Sequence, residues 1–460
     1  VRRLAGLVFV LALAGCGSHS TTEGWHAKTT TPSARAEAGD WFTVAVTVLD
    51  GNTLGRVVHA RVETGGKAGL TDRHGVADFA FRHAQALVTT ISAPGYTTKR
   101  LRLPFPRRPA STVKLYRTAL QWPMYGVDAQ RTQDQTGIHL KPPFRVVWSR
   151  DVGGLLEFPA VVSDGAAYVG NYYGVVQSID MSDGSVLWRH STPHGEMASS
   201  PAIWGDDLVV HGMDGHVWVL RRTDGRLVSH FTIGSPIESS PVIENGIDYF
   251  GAWNGVVYAL DLRTNKLRWT FPTGCKITSS PSLAGRMLYI GDYCGRVLAL
   301  YRGDGRERWS SAVDGRIYGT PAVAAGRIFV PSSDGDSMTA FSTRGRLLWQ
   351  RDFGSYVYSS PAVADGRLFF GTYGGWFYAL SAASGRTLWS VPAGGPISGA
   401  AAVVDGVAYA GSFSHRILGV DARTGRVVLD FPHGEYVPVS GDGTHLLLNG
   451  YSRLYAVVER

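Results

Sequence analysis

Short apolar runs punctuated by glycine-containing pairs set the pattern of this chain. Val256-Val257-Tyr258-Ala259-Leu260 follows Asn254-Gly255, Leu368-Phe369-Phe370 follows Asp365-Gly366, and Phe377-Tyr378-Ala379-Leu380 precedes Ser384-Gly385. Runs this short predict strands joined by tight hairpins, because Asp-Gly and Ser-Gly pairs supply the positive φ that such turns need. Few segments carry the 3.6-residue spacing of an amphipathic helix, so the chain is expected to be all-β. Residues 40–117 hold their own alternating runs, Phe42 to Val48, Val57 to Val62, Leu87 to Ile91 and Val113 to Leu115, and predict a small antiparallel β-sandwich.

From Phe144 onwards the pattern repeats. Ser-Ser-Pro ends at Pro201, Pro241, Pro281 and Pro361, with Gly319-Thr320-Pro321 between, so the beat is 40 residues. Trp188, Trp269, Trp309, Trp349 and Trp389 keep the same beat, and Ser229 holds the position 40 before Trp269. Four short strands cannot bury both faces of one sheet alone, and units of about 40 residues that stack radially predict a β-propeller. Units begin near Phe158, Ser199, Ser239, Ser279, Gly319, Ser359, Gly399 and Val437, which gives an eight-bladed propeller of four-stranded blades over residues 144–460. The last unit stops at Arg460 after three strands. Its fourth is expected from Phe144 to Ser149, where Trp148 lies 40 before Trp188, so that the first and last strands close the ring and leave no open edge.

The run Gly255-Val256-Val257-Tyr258-Ala259-Leu260-Asp261, followed by Trp269, resembles the repeat of the PQQ-like, BamB-like propeller family. Trp122-Pro123-Met124-Tyr125-Gly126-Val127-Asp128 is similar to the lead-in that precedes such propellers, and residues 118–143 are read as a linker carrying it. The resemblance implies that the repeated tryptophans, Trp148 included, dock each blade on its neighbour and are structural. In the front domain, Thr71-Asp72-Arg73-His74-Gly75 with Ala93-Pro94-Gly95-Tyr96 resembles the carboxypeptidase-regulatory-like sandwiches, which implies an adaptor or spacer.

Arg2-Arg3, the apolar stretch from Leu4 to Ala14 and Leu13-Ala14-Gly15-Cys16 resemble a bacterial lipoprotein signal. Residues 1–15 are therefore expected to be removed, Cys16 to carry membrane lipid, and residues 16–39, rich in Ser, Thr, Ala and Gly, to act as a flexible tether. The expected location is extracytoplasmic, lipid-anchored to the bacterial membrane. Loss of Arg2 and Arg3 takes the formal charge from +8 to +6, which is mild for 460 residues and, with basic residues scattered singly, gives no nucleic-acid interface. Residues 99–117 are locally basic, with Lys99, Arg100, Arg102, Arg107, Arg108, Lys114 and Arg117 and no carboxylate, and read as a solvated edge, the alternative being a contact with anionic lipid near the anchor. Cys275 and Cys294 remain as an even pair in an oxidising compartment, in loops expected on one propeller face, and are expected to form a disulfide.

Quinoprotein dehydrogenases share the fold, so a pyrroloquinoline-quinone-dependent sugar or alcohol dehydrogenase is the alternative function. The residues speak against it: no two cysteines are adjacent, and carboxylates come singly, with no calcium-cage motif. His74 and His83 lack a third metal ligand at a sensible spacing. No cofactor, metal site or catalytic set is expected. What remains is a recognition face built from inter-strand loops whose aromatics include Tyr356, Phe413 and Tyr451, with Glu157, Tyr172, Tyr173, Glu238, Trp253, Asn254, Tyr293, Tyr318, Tyr358 and Tyr373 as candidate binding residues. Aromatic rings with interspersed polar groups suit protein, peptide or glycan recognition. The sequence thus reads as a binding or scaffold lipoprotein whose partner is another envelope protein, a peptide or a glycan.

Overall fold

The structure is a computed structural model that describes residues 41–82, 87–103, 110–193 and 195–460. The signal peptide, Cys16, the tether, His83, Arg107 and Arg108 lie outside the described residues. Among the described residues no helix is long and apolar enough to cross a membrane, and the one helical turn is Thr118–Leu120.

Two sheets form the front domain. Phe42–Asp50 lies between Val76–Phe81 and Ala110–Leu115, and Arg61–Thr64 and Leu87–Ser92 are flanked by Lys67–Leu70 and Lys99–Leu103. Alternation puts Val44, Val46 and Val48 inside against Val62, Phe79, Ile91 and Leu115. One pair departs from the expected antiparallel arrangement: Ala110–Leu115 runs parallel to Phe42–Asp50. The chain crosses from the second sheet back to the first before this strand, and a crossover, unlike a hairpin, returns the chain in the same direction.

Among the described residues eight sheets follow in sequence order: residues 161–191, 202–232, 242–272, 282–312, 322–352, 362–392, 402–432, and 434–459 joined by 144–151. Arg453–Glu459 pairs antiparallel with Phe144–Asp151, placing Ala456 opposite Trp148, so the first and last strands of the ring share one blade. Second and third strands are covered on both faces by adjacent blades; Met287–Gly291 is buried throughout. Fourth strands are half exposed, as in Lys266–Pro272, which is why only they keep polar alternation.

The tryptophans pack in a single way. The indole N–H of Trp148, Trp188, Trp269, Trp309, Trp349 and Trp389 donates to a carbonyl of the next blade at 2.7–3.2 Å. Each ring lies on a turn glycine of that blade; a Cβ on Gly225 would come within 2.4 Å of Trp188, and this glycine has φ of 70°. Ser229 replaces the tryptophan in the second blade, and there the next turn uses Asn265, at φ of 55°, whose amide donates to His230 O at 3.0 Å. Without an indole above it, the turn accommodates a side chain that tolerates left-handed backbone.

The Ser-Ser-Pro repeat builds the inner wall. The second hydroxyl accepts a backbone N–H from the preceding blade: Ser200 N to Ser240 Oγ, Ser240 N to Ser280 Oγ, Ser280 N to Thr320 Oγ1 and Thr320 N to Ser360 Oγ, at 2.8–3.2 Å. Inside this belt runs the segment read as a linker. Carbonyls of Pro123, Ala129, Gln130, Thr132 and Gln133 accept the N–H groups of Ile203, Leu283, Val323, Val363 and Val403, all on innermost strands. Trp122 bridges to Val162, and Asp134–Gln135 pairs parallel with Ala402–Val404. The innermost strands present free edges to the axis, and this segment satisfies them.

Candidate functional site

In a propeller blade the turns joining first to second strands lie on one face, and the loops joining second to third strands, with those leading between blades, lie on the other. The front domain docks on the first of these faces. Thr97 Oγ1 donates to Asp164 Oδ1 at 2.5 Å, Asn52 Nδ2 donates to Asp442 O at 2.8 Å, and Tyr116 fills the space above Gly165. The opposite face bears the candidate residues.

A cavity of about 380 Å³ opens there at the ring axis. Tyr125 of the threaded segment lies edge-on to Phe158 at 5.6 Å and closes its floor, while Ser280, Thr320 and Ser360 of the hydroxyl belt line the wall. Rings form an arc at the mouth, each edge-to-face with the next: Tyr318 to Tyr358 at 5.7 Å, Tyr358 to Tyr373 at 5.7 Å, Tyr373 to Phe413 at 6.0 Å and Phe413 to Tyr436 at 5.1 Å. Tyr356 braces Tyr358 from outside at 5.7 Å.

Two carboxylates share the cavity. Glu238 is buried and accepts from Tyr318 Oη at 2.5 Å and from Trp253 Nε1 at 3.0 Å. Burial pushes its pKa up, opposed by those two hydrogen bonds and by Lys276. The Lys276 ammonium lies 3.4 Å from the centroid of the Trp253 ring and 5.0 Å from that of Tyr293. Burial, with the charges of Glu238 and Glu196 added, lifts Glu157 to about 7. Between the ordinary carboxylate value of 4.5 and about 7 the folded chain binds more protons than the unfolded chain, so stability falls as pH rises across that window. Glu157→Gln should therefore raise stability by about 1 kcal/mol above pH 7, after discount for solvent screening, and leave it unchanged near pH 4. Melting temperatures of both proteins across this range test it; a constant offset at every pH would assign the effect to packing.

Of the candidate residues, Glu157, Glu238, Tyr318, Tyr358 and Tyr373 line the cavity. Trp253 and Tyr293 stand behind it, holding Glu238 and Lys276. Tyr172 and Tyr173 pack on each other at 6.3 Å and do not line it; Tyr173 is 73% exposed. Asn254 uses its amide within its own blade, donating to Tyr258 Oη at 2.8 Å and accepting from Val256 N at 3.2 Å. Tyr125, Phe158 and Tyr436 were not among the sequence candidates. Tyr125 belongs to the segment whose sequence resembles a linker, and Tyr436 directly precedes Val437, near which the last repeat unit begins. Cys275 and Cys294 are joined as a disulfide with Cα atoms 5.8 Å apart, in two loops of this face.

The family model described as outer membrane protein assembly factor BamB matches residues 142–248, 253–352 and 342–436. Outer membrane protein assembly factor BamB of Bordetella pertussis is 27% identical over 97 residues, 21% of this chain and 25% of that protein. The protein of the same name from Pseudomonas aeruginosa is 28% identical over 91 residues, 20% of this chain and 23% of its own. The matches span about a quarter of these curated relatives. Among solved structures, BamB from Moraxella catarrhalis superposes with a TM-score of 0.59 at 16% identity, covering 69% of this chain and 98% of its own. Quinohemoprotein alcohol dehydrogenase from Comamonas testosteroni reaches 0.64 at 14% identity, covering 74% and 80%. At such identities the structural likenesses establish the shared propeller fold.

Proposed function

Because the chain belongs to the PQQ-like β-propeller family described as outer membrane protein assembly factor BamB, we propose that it is a membrane-anchored, extracytoplasmic scaffold that binds an envelope protein, peptide or glycan through the loop face of its propeller. The observation that carries this reading is the cavity at the ring axis, walled by tyrosines and two carboxylates, on the face opposite the docked front domain. A lipid on Cys16 would tether the chain through that front domain and leave the cavity pointing away from the anchor. Assembly of outer membrane proteins, the role printed in the name of the relatives, is the proposed context.

The dehydrogenase neighbours supply the competing reading. A quinone-and-metal centre needs several oxygen donors around one ion. Among the described residues no group of three or more His, Cys, Asp or Glu is placed to hold a metal ion, and the cavity offers two carboxylates against an aromatic wall. The residues do not fit the group.

A photo-crosslinking residue at position 373, compared in intact cells with one at Arg386 on the opposite face, tests the scaffold reading. Discrete adducts from 373 and none from 386 are expected. Equal labelling from both faces would sink the reading. A saturable melting shift on adding pyrroloquinoline quinone and calcium, with dye-linked oxidation of an alcohol, would replace it by the enzyme.

A further inference from the structure

The rim of the cavity holds its cations outside and leaves a carboxylate inside without one. Lys276 is spread over the Trp253 ring and Arg316 is tied to Asp334 at 2.7 Å. Both oxygens of Glu238 are engaged, by Tyr318 and Trp253. No hydrogen bond or ion pair from a described residue reaches the Glu157 carboxylate, and the charges that act on it most, Glu238 and Glu196, have its own sign. A half-buried carboxylate without a partner is disfavoured, and a second of like charge in the same cavity adds to this. Such an arrangement destabilises the free protein and is relieved by a ligand of opposite charge.

Resting on the binding-face reading above, we infer that the cavity is a receptor for one arginine side chain carried on an extended segment of a partner protein. Edge-to-face packing turns the successive rings of Tyr358, Tyr373 and Phe413 around the mouth. Such rings carry negative charge on their faces, which attract a cation. A guanidinium fits this wall better than an ammonium. It is planar and weakly hydrated, so it stacks on a tyrosine face at small desolvation cost, and its fork matches a free carboxylate such as Glu157 with two parallel hydrogen bonds.

The same donor set disfavours other occupants. One free carboxylate among rings and hydroxyls is too sparse for a divalent cation. The volume of about 380 Å³ lies at the small end of ligand sites and suits a side chain with its adjoining backbone, not a helix. Tyr356, 45% exposed at the mouth, offers apolar contact to residues flanking the arginine.

Titration calorimetry of the full chain with acetyl-Gly-Ser-Arg-Ser-Gly-amide and with its citrulline counterpart tests this, because citrulline keeps the shape and removes the charge. Saturable binding of the arginine peptide is expected, with the citrulline peptide at least about tenfold weaker. Glu157→Gln should weaken the arginine peptide by about tenfold without lowering the melting temperature, since it removes a repulsion. Tyr358→Leu should weaken it several-fold, and keeps the test alive should the first variant misfold. Equal affinity for both peptides, binding of neither, or arginine binding undiminished by Glu157→Gln overturns the receptor. Crosslinks from position 373 with no peptide binding overturn the receptor and leave the binding face standing; no crosslinks and no binding overturn both.

Discussion

Removal of residues 453–460 is expected to unfold the propeller as a unit. This strand holds Leu454, Ala456 and Val457 in the core, and its whole length pairs with Phe144–Asp151. Each buried Leu or Val contributes about 1.5–3 kcal/mol, and the ladder hydrogen bonds and the docking of Trp148 on the first blade depend on the same pairing. Two strand edges would also be opened to solvent and to other chains. The combined loss is about 5–10 kcal/mol, comparable to the whole net stability of an ordinary domain. Size-exclusion chromatography and urea unfolding followed by tryptophan fluorescence test it. A monomer with an unchanged cooperative midpoint would show that the ring does not need this closure.

Arg131→Ala is expected to be the most damaging single substitution, at about 3–5 kcal/mol. The side chain is buried at the axis, 1% exposed, with Nε donating to Pro281 O at 3.0 Å and Nη2 to Ser240 O at 3.1 Å and Pro241 O at 2.9 Å, while Nη1 donates to Tyr125 O. Burial pulls its pKa down to about 10, opposed by Tyr125, Asp128 and Asp248. One guanidinium therefore joins two blades to the segment that floors the cavity. Alanine would strand four carbonyls in a dry interior, and lysine should rescue little because a single ammonium cannot reach acceptors spread across that fork. The drop in urea midpoint at constant slope measures the effect. A loss below about 1 kcal/mol would mean that water replaces the guanidinium. Because Tyr125 shares the contact, the variant should also weaken any ligand of the cavity.

The sequence by itself determined what is local and periodic. Turn pairs such as Asp365-Gly366 specify left-handed backbone, found at φ of 48° and 71°, and so placed the hairpins. The 40-residue beat of tryptophan and Ser-Ser-Pro placed the blades, because every unit meets the same neighbour in the same way. The exception at Ser229 is visible in one dimension as a break in the tryptophan beat, whereas its link to Asn265 in the next blade is not. The pairing of Cys275 with Cys294 was legible for a related reason: equivalent loops of a repeat emerge on the same face.

The tertiary structure decided what depends on distance from the ring axis. Alternation tells which side of a strand a residue takes, but not how far from the centre its loop lies. Tyr358 and Tyr373 therefore converge on the cavity, whereas Tyr173, in the equivalent loop of the first blade to that of Tyr373, turns to solvent. The path of residues 122–135 was equally hidden. Their partners lie on innermost strands spread from Val162 to Val403, and no periodicity within so short a segment records pairing with so many separate edges. The second serine of each Ser-Ser-Pro marks the beat in the sequence, and only closure of the ring set its hydroxyl beside the backbone of the preceding blade. A closed ring creates an axis that no single repeat contains, and the cavity, its floor and its unpaired carboxylate all lie on that axis.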